Sequence, residues 1–555
     1  FLYFIGMRRT LRQSFQAASS ASAGAGSSYD IIVVGGGLTG CLVGARLAMD
    51  NLKVLVIEEG SNISKQPKWY RQIGCALHAH RFAKRGYETL TTTVAQRSLY
   101  NEAGAEDARQ DTVDIPSPRV LGGSGIMGSR SWFFGDAADW TETPLSFRDD
   151  LMPRIQRLEA LEVPQPHRGK HGKFTVTRSK AISPFYRPFT EAMNTEMSLI
   201  SNWNRLDGAV LPGCGRPETL IDPTTLTAHQ TLDAYVGQAL GLKRPLDVRT
   251  DTRVVSLVGN GKDSATGVRI VDRDGSMQTI TSSVVVLAAG SIGSAKIVDA
   301  SQTQFSAPIG EGEAGKNFWD CPSVALQFKS HDPISSHHCY MNPVVQHIVG
   351  AQLHAGTFPI ATSSSYDDVM ALWSSTGTQT PDVKILIQPF VMNTRGDVPA
   401  GIQDGFQVIV ELARPTSRGV VSAGHVDPNY FDQRADREAL QRAVAMVKNA
   451  MQKTSSMSKI CDVKPFAETL QSRGVCGGSL ALGKATDATS QLIQGTSNVY
   501  CCDSSVLPKP LIGDRTPFLL ALGERFVDKY LNKAELSARV DRNVPVGPGE
   551  TRIVY

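Results

Sequence analysis

The sequence lacks the features that mark several broad classes of protein. It contains no run of about 18 apolar residues, so no transmembrane helix is predicted. Its nine cysteines are odd in number and form no C-x-x-C pair, which argues against a disulfide framework and favours a reducing compartment. The net charge is only +4, without a basic tract, so we expect no nucleic-acid partner. A length of 555 residues allows two or more domains.

Residues 1–29 contain no acidic side chain. Arg8, Arg9 and Arg12 stand among serines and alanines, and the first acid is Asp30. This composition predicts a transit-like extension and a mitochondrial location, and the alternatives are a plastid transit peptide and a disordered tail. Residues 536–555 contain two prolines and two glycines and predict an extended tail.

A glycine motif follows the first apolar run of the chain. Residues 31–34 have the pattern of a buried parallel strand, and Gly35, Gly37 and Gly40 then complete G-x-G-x-x-G at the start of a predicted helix over 38–49. The first glycine allows a tight turn, the second lets backbone N–H groups approach a pyrophosphate, and the third lets the helix pack closely on the strand. The helix N-terminus favours a bound phosphate.

A second apolar strand, 54–57, ends at Glu58, which is placed to accept hydrogen bonds from an adenosine ribose. Strand, glycines, helix, strand and acid in this order predict a dinucleotide-binding βαβ unit. A glycine-rich turn without a ligand is the alternative. The pattern alone leaves open which dinucleotide binds.

The rest of the chain predicts further elements around this unit. Helices are predicted at 76–84, 91–102, 147–161, 226–240, 434–451 and 516–531, the last with Thr516 as its N-cap. Strand patterns over 246–250, 253–258, 267–272, 278–281 and 284–290 precede residues 305–435, where many short strands predict an antiparallel sheet in a separate domain. No metal site is predicted, and the H-x-H pair His78 and His80 is interpreted as a surface pair.

Four blocks taken in order resemble the glucose–methanol–choline (GMC) oxidoreductases over roughly residues 30–535. They are the glycine motif with Glu58, V-L-G-G-S with F-F-G-D-x-x-D-W, V-V-L-A-A-G-S-I, and a terminal D-S-S-V-L-P. The resemblance implies an α/β fold with a discontinuous FAD-binding Rossmann-like domain (30–150, 222–304 and 472–535). It also implies an α+β substrate-type domain built on an antiparallel sheet (151–221 and 305–471). FAD is therefore expected rather than NAD.

The resemblance also implies roles for individual residues. The ADP part is expected at Gly35, Gly37, Gly40 and Glu58, adenine at the backbone of Val254, the flavin beside Gly122, Gly123 and Ser124, and the ribityl chain near Asp503. Some relatives attach FAD to a histidine shortly after the double glycine. Here Ile126, Met127 and Gly128 occupy that stretch, so FAD should be non-covalent.

The sequence departs from the family at the catalytic site. Val475 occupies the place of the family's active-site histidine, and valine cannot accept a proton. The partner position, a histidine or asparagine before a proline, falls on Asp514, and Arg515 replaces the proline. Asp514 could act as the base if burial raised its pKa, although a carboxylate there would repel the anionic reduced flavin. Arg515 is expected either to pair with Asp514 or to face solvent. Cys476 is interpreted as a buried structural cysteine.

Two functions are consistent with these residues. The first is a mitochondrial FAD-binding protein with a degraded catalytic site, which serves as an accessory subunit of a larger assembly and for which a small-molecule substrate is doubtful. The second is an active FAD-dependent alcohol dehydrogenase or oxidase that uses Asp514. An NAD-dependent enzyme is poorly supported, because the double-glycine block and the acidic C-terminal strand have no role in it.

Overall fold

The computed structural model gives the conformation of most of the chain. It describes residues 28–62, 88–100, 109–127, 131–178, 184–199, 203–204, 208–220, 231–335, 369–393, 402, 404–422 and 424–541. The predicted transit-like extension up to residue 27, the predicted helix over 76–84 and the pair His78 and His80 lie outside these residues.

The described residues form strands and helices that we number in chain order. The strands are β1 (Tyr29–Val34), β2 (Val54–Ile57), β3 (Glu88–Thr92), β4 (Gln96–Arg97), β5 (Arg109–Asp111), β6 (Asp114–Pro118), β7 (Glu159–Leu161), β8 (Phe174–Arg178), β9 (Gly213–Gly215), β10 (Glu218–Thr219), β11 (Leu246–Arg249), β12 (Thr252–Gly259), β13 (Ala265–Asp272), β14 (Met277–Leu287), β15 (Trp319–Lys329), β16 (Val369–Trp373), β17 (Val383–Gln388), β18 (Gly405–Leu412), β19 (Val420–Val421), β20 (Val426–Asp427), β21 (Ala467–Gly477) and β22 (Val499–Cys501). The α-helices are α1 (Leu38–Met49), α2 (Ser124–Met127), α3 (Met152–Leu158), α4 (Tyr186–Asn194), α5 (Gln238–Gly241), α6 (Gly290–Asp299), α7 (Arg434–Lys453), α8 (Ser455–Ile460) and α9 (Arg515–Asp541). The 3₁₀-helices are Ala137–Trp140, Gln302–Gln304 and Ser504–Val506, and the π-helices are Phe147–Leu151 and Leu232–Gly237.

The first sheet is a parallel sheet with an antiparallel extension. Strands β11, β2, β1, β14 and β22 lie side by side in parallel, as the βαβ pattern predicts. Strand β1 lies between β14 and β2, and its apolar side chains, residues 31–34, are buried. The Rossmann-like part of the predicted fold is therefore confirmed.

Strand β14 joins two elements that the sequence predicts as separate strands. Its first half pairs antiparallel with β13, and its second half pairs parallel with β1. The predicted break over 282–283 is wrong, because Ser282 is paired with Tyr29 and continues the strand.

The second large sheet contains six strands in the order β21-β15-β18-β17-β16-β9, and each strand is antiparallel to its neighbours. Helices α4 and α7 cover one face, where Phe189 and Leu440 share a buried cluster with Val324 and Ile385. This arrangement confirms the predicted second domain on an antiparallel sheet.

The structure divides the chain at slightly different places from the predicted domain boundaries. Strand β21 crosses the predicted boundary at residues 471–472 and belongs wholly to the antiparallel sheet. Helix α3 and strands β7 and β8 bury Ile155, Phe174 and Val176 in the same cluster as β1 and β2. Part of the predicted substrate-type segment 151–221 therefore packs with the nucleotide-binding core.

Several predicted helices differ from those observed. The sequence predicts a helix over 91–102, but the described residues of this segment, 91–100, contribute to β3 and contain β4, because the run Thr91 to Val94 is β-branched and favours a strand. The predicted helix over 147–161 ends at Leu158, where Glu159 turns away to bind Arg168 at 2.7 Å.

The last helix also differs at both of its ends. It begins at Arg515 rather than after Thr516, and Pro517 still lies in its first turn, where the absent N–H removes no helical hydrogen bond. It ends at Asp541, within the segment 536–555 that was expected to be an extended tail. No helix of the described residues combines the length and apolar character needed to cross a membrane.

Candidate functional site

The glycine loop after β1 is held in place by close backbone contacts. Gly35 has a φ of +101°, and a Cβ there would lie 2.4 Å from the carbonyl oxygen of Ala288. A Cβ on Gly40 would lie 1.9 Å from the Gly35 oxygen, so helix α1 can approach β1 only if this residue is glycine. The two glycines therefore have the turn and packing roles that the motif predicts.

Gly37 differs from its neighbours because space is left beside it. The nearest atom to a Cβ placed on Gly37 is the Ala288 oxygen, 4.0 Å away. Gly37 precedes helix α1, whose first N–H groups have no partner within the helix. An open glycine at a helix N-terminus is what a pyrophosphate requires, so the residues present fit a dinucleotide.

The predicted flavin-side loop lies directly against this glycine loop. The Gly122 N–H donates to the Gly36 oxygen at 2.7 Å. A Cβ on Gly123, whose φ is +50°, would lie 2.8 Å from the Cα of Gly37. Ser124 follows at the start of α2 and is exposed, so its hydroxyl is open to a ligand.

Glu58 lies at the carboxyl end of β2 beside the same loop. Its carboxylate accepts hydrogen bonds from the N–H groups of Gly36 and Gly60, both at 2.8 Å. Burial raises the pKa of Glu58 to about 7, and these two amides act in the opposite direction. The acid therefore helps to hold the glycine loop in addition to its predicted role at a ribose.

Val254 lies close to the same edge of the sheet. It belongs to β12, whose first residue Thr252 donates its N–H to the backbone oxygen of Glu58 at 3.1 Å.

Ile126, where some relatives carry an attachment residue, is buried hydrocarbon, and residue 128 lies outside the described chain.

Asp503 follows β22 and is almost wholly buried. One carboxylate oxygen accepts from the Gly290 N–H at 2.9 Å and from the Ser294 hydroxyl at 2.6 Å, while the other accepts from Ser505. Asp503 therefore joins the start of α6 to the turn Ser504–Val506. The sequence did not predict this structural use of its side chain.

Val475 and Asp514 are brought to one corner by Arg515. The Arg515 guanidinium donates to the carbonyl oxygens of Cys476 at 2.6 Å and Gly474 at 2.7 Å, on either side of Val475. The prediction that Arg515 pairs with Asp514 or faces solvent is therefore wrong. The valine side chain packs, partly buried, against the core of the nucleotide-binding domain.

Asp514 has a different cationic partner. Its Oδ1 lies 3.3 Å from Nζ of Lys384, and both side chains are mostly buried. Its Oδ2 is inaccessible to solvent and has no hydrogen-bond partner among the described residues. Its backbone N–H donates to the Phe133 oxygen at 2.8 Å. Asp514 is thus held by a lysine from the antiparallel sheet, which sequence reasoning missed.

The F-F-G-D-x-x-D-W block supports the loop that carries Asp514. Asp139 accepts from the Ile512 N–H at 2.9 Å, and Arg414 binds both Asp136 and Asp139. Burial raises the pKa of Asp139, while Arg414 acts to lower it. A Cβ on Gly135 would lie 2.4 Å from the Gly513 nitrogen, so the two loops touch through their backbones.

A second ion pair lies near the first on the antiparallel sheet. Lys384 on β17 stands opposite Glu411 on β18, and Glu411 accepts from Arg473 of β21 at 3.1 Å. The sequence showed no charge pattern here. The sequence does show that Lys384, Leu386 and Gln388 alternate with Val383, Ile385 and Ile387. In a strand, this alternation places the first three side chains on one face.

A buried polar cluster lies behind Val475. Asp320 on β15 is paired with Cys476 and accepts a hydrogen bond from the Tyr430 hydroxyl. Burial raises the pKa of Asp320 to about 6 and that of the Cys476 thiol to about 11. The Cys476 Sγ lies 3.1 Å from the Ser291 hydroxyl, as expected for a structural cysteine rather than a reactive one.

Comparison with known protein families agrees with this geometry. The N-terminal family model described as GMC oxidoreductase matches residues 29–322, and the C-terminal model with the same description matches residues 415–523. Together they include the glycine loops, Glu58, Val475, Asp503 and Asp514.

Individual proteins are similar over nearly the whole chain. An oxygen-dependent choline dehydrogenase of Staphylococcus xylosus is 24% identical over 92% of this chain and 96% of its own length. The mitochondrial choline dehydrogenase of Homo sapiens is 23% identical over 96% of this chain and 95% of its own. A formate oxidase crystal structure has a TM-score of 0.77 at 18% identity and covers 93% of this chain and 100% of that one. At such identity the structural likeness supports the fold alone.

Proposed function

Because the chain belongs to the GMC oxidoreductase family, we propose that it binds FAD without a covalent bond and no longer oxidises alcohols. Gly37 and the N-terminus of α1 would hold the pyrophosphate, Glu58 the ribose, and Ser124 the flavin side. The open space at Gly37 supports the first of these roles. When bound, FAD supplies a two-electron acceptor.

The main support for the proposed loss of alcohol oxidation is the environment of Val475. Alcohol oxidation needs a group that removes the hydroxyl proton, and such a base contributes about 10²- to 10⁴-fold in rate. Val475 offers only hydrocarbon, and Arg515 fixes the carbonyls on both sides of it. The candidate base, Asp514, has one oxygen on Lys384 and the other sealed from solvent.

The test is anaerobic reduction of the purified full-length protein. We expect bound FAD to be released on denaturation, its visible absorption to persist with every alcohol in a panel, and dithionite to bleach it. Bleaching by an alcohol at a catalytic rate would overturn the proposal, and a protein that neither retains nor takes up FAD would overturn its first half.

We further propose a role as an accessory subunit of a mitochondrial assembly. The support is the acid-free composition of residues 1–29 and the presence of a mitochondrial enzyme among the relatives. Native electrophoresis of mitochondria that contain the tagged full chain should place it in a large complex with partners of fixed stoichiometry. Migration as the 59.9 kDa chain alone would contradict this role.

An active enzyme that uses Asp514 is the second candidate. The observation in its favour is the Asp514 Oδ2 atom, which lacks a hydrogen-bond partner among the described residues. If this candidate holds, some alcohol will bleach the flavin, and Asp514→Asn will abolish bleaching without releasing FAD. Equal bleaching by the variant would exclude Asp514 as the base.

A further inference from the structure

The loop between β7 and β8 is rich in basic residues and is fixed against helix α3. Residues 167–173 read His-Arg-Gly-Lys-His-Gly-Lys. Arg168 is buried and donates to Glu159 at 2.7 Å, which anchors the middle of the loop. A Cβ on Gly169 would lie 2.1 Å from the backbone oxygen of Gln156, so the loop approaches α3 through its backbone. The remaining basic side chains of the loop are left outside this contact.

These remaining side chains face solvent. His167, Lys170 and His171 are exposed, and within the described chain their side chains form no hydrogen bond or ion pair. Val163, near the start of the same loop, is 69% exposed. The loop therefore presents unpaired basic groups close in the chain to an exposed apolar side chain.

Three arginines from two helices extend the basic character beyond the loop. Arg154 and Arg157 of α3 each place Nη2 on the same oxygen of Asp528 in α9, at 3.2 and 2.9 Å. Nε of Arg46, in α1, lies 3.2 Å from Glu524 of α9. Two carboxylates are thus shared by three guanidinium groups, and positive charge remains.

Lys173 joins the loop to these arginines. Its Nζ lies 4.2 Å from the centre of the Tyr235 ring and donates to the Ala234 oxygen at 3.2 Å. The pKa of Lys173 is lowered, first because partial burial removes water from the ammonium group and second because Arg46 repels it. Cations are therefore crowded here, and a bound anion would relieve their repulsion.

The loop and the arginines form one surface, which we call the basic surface (residues 46, 154, 157, 167, 170, 171 and 173). Its five lysines and arginines are accompanied by three carboxylates, those of Glu162, Glu524 and Asp528. Arg46 is in the last turn of α1, whereas Gly37 precedes the first turn, which places the two about 14 Å apart along the helix axis. A ligand of the basic surface is therefore distinct from the dinucleotide.

The composition of the basic surface favours lipid headgroups over a folded protein as its ligand. Protein interfaces usually have a desolvated centre with aromatic anchors, but the one aromatic ring in contact here, Tyr235 beneath Lys173, is only 5% exposed. Anionic headgroups need no such anchor, because each lysine or arginine near them raises affinity about fivefold. Flexible side chains such as Lys170 can also follow headgroups that move.

From these features we propose that the basic surface binds membranes that contain anionic phospholipids. The lysines and arginines contact the phosphates, and Val163 is placed to enter the interface beside them. This binding requires neither flavin nor oxidation. Because it is measured on the polypeptide, a failure to retain FAD would contradict the proposed function without altering the result of the test.

Co-sedimentation of the purified full-length protein with phospholipid vesicles tests the proposal. We expect binding to vesicles of equal parts phosphatidylcholine and phosphatidylglycerol, and little binding to phosphatidylcholine alone. The affinity should fall at least tenfold between about 0.05 and 0.5 M salt, because the attraction is screened. Lys170→Gln should weaken binding about fivefold and Lys170→Glu about 25-fold, since one or two units of charge are lost.

Lys453→Glu is the matched control. It changes the total charge by the same amount as Lys170→Glu but lies on the exposed side of α7, which covers the antiparallel sheet, and it should leave binding unchanged. Lys170 has no partner within the described chain, so its replacement should not disturb folding. The proposal is overturned if anionic vesicles do not bind, if both vesicle types bind equally, or if Lys170→Glu behaves like Lys453→Glu. Tighter binding of a polyglutamate peptide than of the anionic vesicles would also overturn it and would assign the surface to an acidic protein.

Discussion

The phosphate corner (residues 35–40 with 122–124) is assembled through backbone atoms, whereas the base corner (residues 474–476 with 514–515) is assembled through side chains. In the first, Gly122 N–H meets the Gly36 oxygen, and a Cβ on Gly40 would overlap the Gly35 oxygen. In the second, Arg515 holds two carbonyls and Lys384 holds Asp514.

This difference determines which substitutions each corner can accept. The close backbone contacts at Gly35 and Gly40 accept only glycine, because a Cβ at either position would overlap a backbone oxygen. Contacts between side chains can be rebuilt with other residues that preserve the packing. The base corner is ordered with Val475 at its centre, and its order is no evidence of catalysis.

The largest effect is expected from Gly40→Ala. The new methyl group would lie 1.9 Å from a backbone oxygen, so helix α1 must move away from β1. The free energy of unfolding should fall by at least about 4 kcal/mol, as measured by urea denaturation. Gly424→Ala is the matched control, because no atom lies within 4 Å of the added methyl group. Similar losses in both variants would show that the phosphate corner is not sterically fixed.

Lys384→Met should have the next largest effect because it leaves the mostly buried Asp514 carboxylate without its cation. We expect the free energy of unfolding to fall by about 3 kcal/mol. The double variant Lys384→Met with Asp514→Leu should recover at least half of that loss in the same denaturation experiment. Strict additivity of the two substitutions would mean that the pair is not coupled.

These two variants also separate what the sequence could predict from what it could not. Gly35, Gly40 and the apolar run before them imply the turn, the strand and the helix, since their spacing has few other steric solutions. Lys384 and Asp514 are 130 residues apart and meet only because β17 packs beside the loop before α9. No pattern in the sequence around either residue predicts this ion pair.

Other misses have the same physical origin. Arg515 was expected to pair with its neighbour Asp514 or face solvent, but its guanidinium reaches the carbonyls of β21 instead. The sequence predicts two strands in place of β14, because its first half is amphipathic and its second half is wholly apolar. The two halves differ because the first pairs with β13 and the second with β1. The polar and apolar pattern of a strand depends on which segments pack beside it, and those neighbours cannot be identified from the strand's own sequence.

The pH dependence of stability should distinguish Glu58, beside the phosphate corner, from Asp320, behind the base corner. Burial raises the pKa of Glu58, beside the phosphate corner, to about 7 and that of Asp320, behind the base corner, to about 6. Because the folded protein binds these protons more tightly than the unfolded chain, stability falls as pH rises through each pKa. Glu58 should contribute a loss of at most about 3 kcal/mol between pH 4.5 and 7.

Urea denaturation of the unliganded protein at a series of pH values measures this effect. Glu58→Gln should remove the decline in stability between about pH 6 and 7, whereas Asp320→Asn should reduce only the part below about pH 6. A profile above pH 6 that Glu58→Gln leaves unchanged would contradict the assignment to Glu58.

Gly37→Ala should have the smallest effect on stability and a selective effect on the cofactor. The nearest atom to the added methyl group is 4.0 Å away, so the unliganded protein should unfold at the same urea concentration. The methyl group would occupy the space that the pyrophosphate needs, so FAD affinity should fall about tenfold or more. Unchanged affinity would show that the phosphate does not approach Gly37.

The most direct test of the contrast between the two corners uses a single anaerobic cuvette of gel-filtered full-length protein. FAD content per chain is read first, an alcohol panel is added next, and dithionite is added last. We expect a stoichiometric flavin that no alcohol reduces and that dithionite reduces fully. Rapid reduction by any alcohol would mean that the base corner still removes a proton, and a chain that cannot hold FAD would mean that the phosphate corner has lost its function as well.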